Sequence, residues 1–160
     1  MTTTATRATT RAEGRDLVLS SILNAPPAKV FGAWTDPTLI TQWFTPPPWK
    51  TTSAKMDVRP GGSSLIVMRG PDGTEMLNRG VYLEVVPNRK LVFTNAYTQA
   101  WEPADKPFAT FILTFEDLDG STKYTAVVRH WTIADGEAHE KMGFHQGWPI
   151  ATEQLAALIE

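Results

Sequence analysis

The sequence lacks cysteine entirely, which excludes disulfide scaffolds, thiolate metal sites and cysteine nucleophiles from all 160 residues. An excess of charge of either sign is missing too: the formal net charge is -2, and the lysines and arginines are scattered singly. Neither nucleic acid nor an anionic membrane surface is therefore expected as a partner. No apolar run approaches the roughly 20 residues of a membrane span. We expect a cytoplasmic protein that needs no metal and no cofactor.

The first fifteen residues, MTTTATRATTRAEGR, are rich in threonine and arginine and lack the apolar run of a secretory signal. An organelle presequence would share the scarcity of acidic residues, but Glu13 and the missing apolar face argue against it. The sequence therefore predicts a disordered leader over residues 1–15 and a single domain over residues 16–160.

Turn signals divide most of the domain into strands. Residues 16–24 predict a first strand, and two short helices follow, separated by a break at which Asp36 is the N-cap and Pro37 the first helical residue. Hairpin signals such as Pro-Asp-Gly and Asp-Gly then separate runs rich in β-branched and aromatic residues. These runs predict an antiparallel meander with strands near residues 51–59, 63–69, 75–86, 90–98, 108–117 and 122–133.

The C-terminal part predicts one long amphipathic helix. Its apolar stripe recurs at spacings of three and four and comprises Phe144, Trp148, Ala151, Leu155 and Leu158. The stretch MGFHQGWP (residues 142–149) interrupts that helix with residues that disfavour it. We interpret Gly143 and Gly147 as sites of close packing on the sheet and Pro149 as a kink. The alternative is that the missing side chains leave room for a ligand.

Strand alternation predicts which side chains face this helix. In the last strand, Tyr124, Ala126, Val128 and His130 share one face, opposite Lys123, Thr125 and Arg129. By the same rule the other strands contribute Phe111, Leu113, Phe115, Leu91, Phe93, Asn95, Tyr97, Ile66 and Met68 to that face. The sequence thus predicts an α+β domain whose inner sheet face is aromatic and apolar, with a few polar groups among the apolar ones.

This order of elements resembles the helix-grip domains of the START-like (SRPBCC) superfamily, and most closely the branch named after the activator of Hsp90 ATPase. The stretches that carry the resemblance are APPAKVFGAWTDPTLITQWF, DVRPGG, PDGTE, GVYLEVVPNRKLVFTN, GSTKYTAVVRHW and HEKMGFHQGWPIATEQLAAL. The resemblance implies a bent antiparallel sheet of about seven strands wrapped around a long C-terminal helix. It also implies a cavity between helix and sheet that takes hydrophobic ligands, as in the lipid carriers, hormone receptors and polyketide cyclases of the superfamily.

Twelve residues are candidate ligand contacts in that cavity. A core role is the simpler interpretation for each large aromatic residue, but ligand sites are mostly apolar with a few polar groups, so some are expected to line a pocket. The candidates are Trp43, Trp49, Met68, Phe93, Asn95, Tyr97, Phe111, Leu113, Val128, His130, Phe144 and Trp148.

The three histidines do not predict a metal site. His139 and His145 are six residues apart, which places them on different faces of one helix, and no carboxylate has a spacing that completes a ligand set. His130 is either a core histidine bonded to a backbone carbonyl, the interpretation we favour, or a polar group at one end of the cavity. If the cavity is catalytic, His130 and Tyr97 are the candidate proton-transfer residues.

Three hypotheses follow for function. The first is a protein that binds a small apolar or aromatic molecule in the cavity, and the second is a cyclase-like enzyme that uses the same space. The third, ranked lowest, is a chaperone partner, because the family's named activator relies on an additional N-terminal domain. A homodimer through an edge strand is left open. In the longest loop Trp101 is either an exposed contact residue or, as we favour, a cap on the core.

Overall fold

A computed structural model describes residues 8–160, which form ten strands and four helices. The strands are β1 (Thr9–Glu13), β2 (Asp16–Leu23), β3 (Lys50–Met56), β4 (Ser63–Arg69), β5 (Glu75–Val86), β6 (Lys90–Thr94), β7 (Tyr97–Gln99), β8 (Glu102–Pro103), β9 (Thr110–Leu118) and β10 (Ser121–Arg129). The helices are α1 (Pro27–Thr35), α2 (Pro37–Ile40), α3 (Ile133–Lys141) and α4 (Phe144–Ile159). Within residues 8–160, no helix is both long enough and apolar enough to cross a bilayer.

Eight of the strands form one antiparallel sheet in the order β1-β2-β10-β9-β6-β5-β4-β3, and β7 and β8 form a separate small ribbon. The expected α+β architecture, a bent antiparallel sheet that grips a C-terminal helix, is confirmed. The sheet has one strand more than the seven or so expected, because β1 adds an edge. Strands β3 to β6 follow one another through tight turns, as the hairpin signals predicted.

The prediction of a disordered leader over residues 1–15 is wrong for Thr9–Glu13, which form β1. Strand β1 pairs in register with β2, from Thr9 opposite Ser20 to Glu13 opposite Asp16. Gly14, at φ 60°, makes the turn between the two strands. An edge strand is held by backbone hydrogen bonds and needs no apolar alternation, so its polar composition concealed it. The rest of the expected leader, residues 1–7, lies outside the described part of the chain.

The two early helices are confirmed, and so is the break between them. The Asp36 carboxylate accepts a hydrogen bond from the backbone N–H of Thr38 at 2.8 Å, which caps α2. Helix α2 is shorter than the apolar spacing suggested, since it ends at Ile40 and the chain continues in turns through Trp43 and Phe44.

Three strands end earlier than expected. Strand β3 stops at Met56 instead of residue 59. Strand β6 stops at Thr94 instead of residue 98, so Asn95 follows it and Tyr97 belongs to the β7–β8 ribbon. Strand β10 stops at Arg129 instead of residue 133, because Thr132 accepts a hydrogen bond from the N–H of Asp135 and caps α3.

The single long C-terminal helix is also corrected. It is broken at Gly143, whose φ of 106° lies in the left-handed region and ends α3 before α4 begins. Pro149 lies inside α4, as the sequence indicated.

The alternation assigned to the inner face is confirmed for the strands that the helices cover. Helix α4 packs against β1 and β2, and α1 packs against β9 and β10. The side chains beneath them are at most 1% exposed and include Leu17, Leu19, Leu23, Leu113, Tyr124, Ala126 and Val128. At the other end of the sheet, β4 and β5 bring Met68 and Asn78 to the same inner face, and both are only half-buried.

Candidate ligand-binding cavity

A cavity of about 330 Å³ lies where the helical layer ends over the sheet. Met68 of β4, Asn78 of β5 and Phe111 of β9 line its sheet side. Trp148 and Ala151 of α4 line the helical side. The space is therefore bounded by the end of the sheet that the helices leave uncovered and by the first turns of α4.

Aromatic rings form most of the wall. Phe111 stacks on Phe93 at 4.8 Å between ring centroids and is nearly parallel to Trp148 at 6.1 Å. Trp34 meets Trp43 edge-on at 4.9 Å and meets Phe44 edge-on at 5.9 Å. These arrangements are the favourable geometries for aromatic pairs, so the wall is held rigid by its own contacts.

The segment between α2 and β3 is held against α4 by Gln154. Its side-chain amide donates hydrogen bonds to the carbonyls of Trp43 at 2.8 Å and Thr45 at 3.0 Å. The indole N–H of Trp43 donates to the Ala33 carbonyl at 3.0 Å. Trp43 therefore presents its ring, and no free donor, to the cavity.

Gly147 contributes to the open space under α4. A Cβ atom there would lie 3.8 Å from Cγ of Pro46, an ordinary contact, and Gly147 lines the cavity. The interpretation that Gly143 and Gly147 both serve close packing on the sheet is wrong, because Gly143 supplies the left-handed turn between the helices. The alternative, that a missing side chain leaves room, describes the surroundings of Gly147.

Two polar groups of the sheet reach the cavity with unused donors. The indole N–H of Trp34 donates to the Tyr124 hydroxyl at 3.0 Å, and burial raises the pKa of that hydroxyl. The Asn95 amide donates to Oδ1 of Asn78 at 2.8 Å. Among residues 8–160, neither the Tyr124 O–H nor the Asn78 NH₂ has a recorded acceptor, so both can donate to a bound molecule.

Two histidines form a buried hydrogen-bonded chain beside the cavity. His130 is 1% exposed, its Nδ1 lies 2.9 Å from the Arg15 carbonyl, and its Nε2 lies 2.9 Å from Nδ1 of His139. The favoured sequence interpretation, a core histidine bonded to a backbone carbonyl, describes His130. His139, which is 8% exposed, lines the cavity instead.

His139 is held in its neutral form. Burial, with smaller contributions from the nearby His130 and His145, lowers its pKa from 6.5 to about 4. The rings of Phe108 and Phe144 lie against it at 4.6 Å and 5.3 Å. Within the described chain, no group of three or more His, Asp or Glu side chains is arranged to hold a metal ion.

A second, more open cavity of about 430 Å³ adjoins the first and shares Met68, Asn78, Phe108, Phe111 and Met142 with it. Asn95 lines this outer cavity, together with the cationic side chains of Arg79 and Lys106. The side chain of Met142 is 71% exposed at the boundary between the two spaces. The outer cavity is thus a vestibule to the inner one.

The structure brings together five of the twelve predicted site residues. Trp43, Met68, Phe111 and Trp148 line the inner cavity and Asn95 lines the vestibule. The other seven lie outside both cavities: Leu113, Val128, His130 and Phe144 are fully buried, Phe93 stacks behind Phe111, Trp49 lies against Gly70, and Tyr97 contacts Trp101. Contact with a ligand stays a prediction for all twelve.

Several lining residues escaped the sequence reasoning. Tyr124 was expected on the inner face but was not among the twelve candidates, and neither were Trp34, Phe44, Asn78 and Phe108. His139 was considered only as a metal ligand. Strand alternation gives no signal for His139, because it lies on α3 and its contact with His130 depends on the turn into that helix.

Trp101 is 85% exposed at the tip of the β7–β8 ribbon, where its ring meets only Tyr97 among the described aromatic residues, at 5.9 Å. The favoured interpretation, a cap on the core, is wrong. Strand β7 of the ribbon contacts β5 and β4, but Trp101 at the tip faces solvent and does not reach the apolar interior.

Comparison with known proteins connects this geometry to a family. A sequence model of the activator of Hsp90 ATPase homolog 1-like proteins matches residues 24–160. The crystal structure of a protein from Nitrosomonas europaea, 34% identical, matches with a TM-score of 0.88 over 92% of this chain and 96% of that one. No curated protein matches the chain.

Two more distant structures show the fold alone. A Mycobacterium smegmatis protein, 24% identical, matches with a TM-score of 0.79 over 96% of this chain and 97% of that one. An AHSA1-like protein from Aeromonas hydrophila, 19% identical, matches with a TM-score of 0.68 over 88% and 92% of the two chains.

Proposed function

Because the chain belongs to the family of activator of Hsp90 ATPase homolog 1-like proteins, we propose that it binds a small hydrophobic or aromatic molecule in the cavity between α4 and the sheet. The observation that carries the proposal is an aromatic-walled space of about 330 Å³. This is about twice the volume of an engineered cavity of roughly 150 Å³ that holds benzene in another protein. A molecule of two fused rings therefore has room.

The chemistry of the wall selects uncharged ligands. None of the residues that line the inner cavity is Lys, Arg, Asp or Glu, and the polar ones are His, Asn, Thr and Tyr. A charged ligand would enter this cavity without an opposite charge to pair with. Burial of such an unpaired ion costs several kcal/mol. Burial of apolar ligand surface contributes about 25 cal/mol per Å² before the costs of ordering.

The vestibule supplies the route into this space. It opens to solvent beside the exposed side chains of Met76 and Leu77, and Met142 lies between it and the inner cavity. Methionine is flexible and tolerates many contact geometries, so Met142 can move aside without disturbing the sheet.

Titration with 2-methoxynaphthalene, followed by its fluorescence, tests the proposal. We expect saturable binding with one site per chain. Ala151→Leu fills the cavity from α4 and is expected to remove binding, whereas Ala157→Leu adds the same side chain to the exposed face of the same helix and is expected to have no effect. Native mass spectrometry of the purified protein, followed by extraction, would identify a retained ligand.

Two results would overturn the proposal. The first is the absence of saturable binding to the unmodified protein, and the second is a folded Ala151→Leu variant that binds 2-methoxynaphthalene as tightly as the unmodified protein does. Thermal denaturation establishes that folded state, and Gly147→Leu fills the same space from a second position if Ala151→Leu does not fold. The cyclase-like and chaperone-partner hypotheses stay predictions, with no contact in the described chain that favours either over binding.

A further inference from the structure

We propose that the inner cavity takes an aromatic molecule that carries a hydroxyl group, and that this hydroxyl donates a hydrogen bond to Nε2 of His139. The inference rests on the proposed function and specifies the ligand class of the same cavity. It follows from the direction of the hydrogen-bonded chain that runs from Arg15 through His130 to His139.

The chain fixes which nitrogen atoms carry protons. The Arg15 carbonyl can only accept, so the Nδ1 atom of His130, 2.9 Å away, must donate. His130 is 1% exposed and has no carboxylate partner among residues 8–160. In a neutral imidazole whose Nδ1 donates, Nε2 can only accept, so it accepts from Nδ1–H of His139 at 2.9 Å.

The consequence for His139 is an exposed lone pair on Nε2. With its proton on Nδ1, a neutral imidazole has an acceptor and no donor at the other nitrogen. His139 is 8% exposed and lines the cavity, and within the described chain Nε2 has no recorded hydrogen-bond partner. Among the described residues only Ser21 has a fully buried side-chain polar atom without a partner, so Nε2 of His139 is open to the cavity. A ligand that enters the cavity can therefore donate to this nitrogen. The lowered pKa of His139, about 4, keeps this acceptor unprotonated at neutral pH.

The turn between β1 and β2 holds this arrangement in place. Gly14 brings the Arg15 carbonyl to His130, and Asp16 forms two hydrogen bonds of 2.9 Å with the Arg129 guanidinium beside it. Gly136 of α3 lies over the same bond, since a Cβ atom there would be 3.5 Å from both Nδ1 of His130 and the Arg15 oxygen. His130 is thus a positioning residue that determines the tautomer of His139.

The surroundings of His139 select an aromatic hydroxyl over other donors. Phe108 and Phe144 lie against the imidazole, and Phe111 and Trp148 continue the aromatic wall. A cationic donor such as an ammonium group would find no carboxylate in the inner cavity. A phenol-type group is neutral, planar and a strong donor, and so it matches both the wall and the acceptor.

The affinities of two probes of similar size test the inference: 2-naphthol, which can donate, and 2-methoxynaphthalene, which cannot. The measured quantity is the ratio of their dissociation constants, compared between the unmodified protein and the His139→Phe variant. One hydrogen bond predicts a ratio that is about 3- to 10-fold more favourable to 2-naphthol in the unmodified protein than in the variant. His145→Phe is the matched control, because His145 bonds Thr10 and Glu140 and lies outside the cavity.

Each result has a distinct meaning. If neither probe binds, the proposed function itself is wrong. If both bind and the ratio is unchanged in His139→Phe, or changes equally in His145→Phe, the proposed function stands and the inference is overturned. If His139→Phe does not fold, His139→Leu, which also removes the acceptor, takes its place, and an unchanged ratio in that variant overturns the inference.

A second measurement reports the acceptor directly. In its excited state 2-naphthol becomes a strong acid and transfers its proton to an adjacent base, which shifts its emission. The bound probe is excited at wavelengths longer than those that tryptophan absorbs. We expect the emission of deprotonated 2-naphthol in the unmodified protein and in His145→Phe. If the unmodified protein shows only the emission of neutral 2-naphthol, no base lies at the hydroxyl group and the inference is overturned.

Discussion

At one end of the sheet, β2, β9 and β10 lie beneath helices α1 and α4, and side chains such as Leu19 and Leu113 are inaccessible to solvent. At the other end, β4 and the first half of β5 extend beyond the helices. There Met68 and Asn78 are half-buried on the inner face, and Met76 is 52% exposed. We call these the closed end and the open end of the sheet.

Both ends have the same antiparallel strand geometry, but the helices cover only the closed end. The helix breaks at Gly143, and Gly147 lacks a side chain, so the first turns of α4 leave space over Phe111 and Met68 that the rest of α4 fills over β2. The domain is stabilised at the closed end and has room for a ligand at the open end.

The largest expected contrast is in the cost of truncating core side chains. Leu19→Ala at the closed end is expected to lower the free energy of unfolding by about 3 kcal/mol, because it leaves a cavity in a closely packed core. Met68→Ala at the open end is expected to cost about 1 kcal/mol, since Met68 already borders empty space. Urea denaturation of both variants measures the two changes. Equal costs would show that the open end is packed as tightly as the closed one.

The next contrast concerns pH. The folded state lowers the pKa of His139 from 6.5 to about 4, so between these values the unfolded chain binds more protons than the folded one. Stability from this residue is therefore complete above about pH 6.5 and is lost as the pH falls towards about 4. We expect the free energy of unfolding to fall by about 1–2 kcal/mol from about pH 7 to about pH 5.

Urea denaturation across that interval measures the dependence, and His139→Gln removes the titrating group. In that variant the slope should become flatter by the same amount. A slope that is unchanged by the substitution would mean that the pH dependence arises elsewhere, and that His139 is more hydrated than its contacts indicate.

The two glycines of the helix junction are expected to respond in opposite directions to the same substitution. Gly143→Ala forces a left-handed φ of 106° on a residue with a side chain and should destabilise the domain by about 1 kcal/mol. Gly147→Ala removes a glycine from a helix where the added carbon has room, and it should stabilise the domain by about 0.5–1 kcal/mol. Thermal denaturation of the pair measures both signs. Destabilisation by Gly147→Ala would restore the interpretation of close packing.

The smallest effect is expected beyond the open end, at Trp101. Because the side chain is 85% exposed, Trp101→Ala should change the free energy of unfolding by no more than about 0.5 kcal/mol. The same denaturation experiment measures it, with Trp34→Ala as the buried counterpart, expected to cost about 3–5 kcal/mol. A large loss from Trp101→Ala would indicate that the indole stabilises the domain in spite of its exposure.

The strands could be predicted because β-branched and aromatic runs separated by hairpin turns describe an antiparallel sheet directly. Alternation then assigned Tyr124, Ala126 and Val128 to the inner face, where each is buried. The edge strand β1 could not be predicted, because backbone pairing to β2 leaves no periodic trace in TTRAE. The candidate site was predicted only in part for a related reason: alternation tells which face a side chain occupies but not what lies above it.

The amino-acid sequence by itself determined the class of the fold, the sheet's inner face, the break and cap between the two early helices, and the family to which the chain belongs, because each follows from local periodicity, local backbone preference or residue order. Only the tertiary structure decided that Phe93 lies behind Phe111, that Trp101 faces solvent and that His139 meets His130. These facts depend on where separate elements come together in space. The cavity, too, is decided by the tertiary structure, since its volume depends on the distance between α4 and the sheet and not on any single residue.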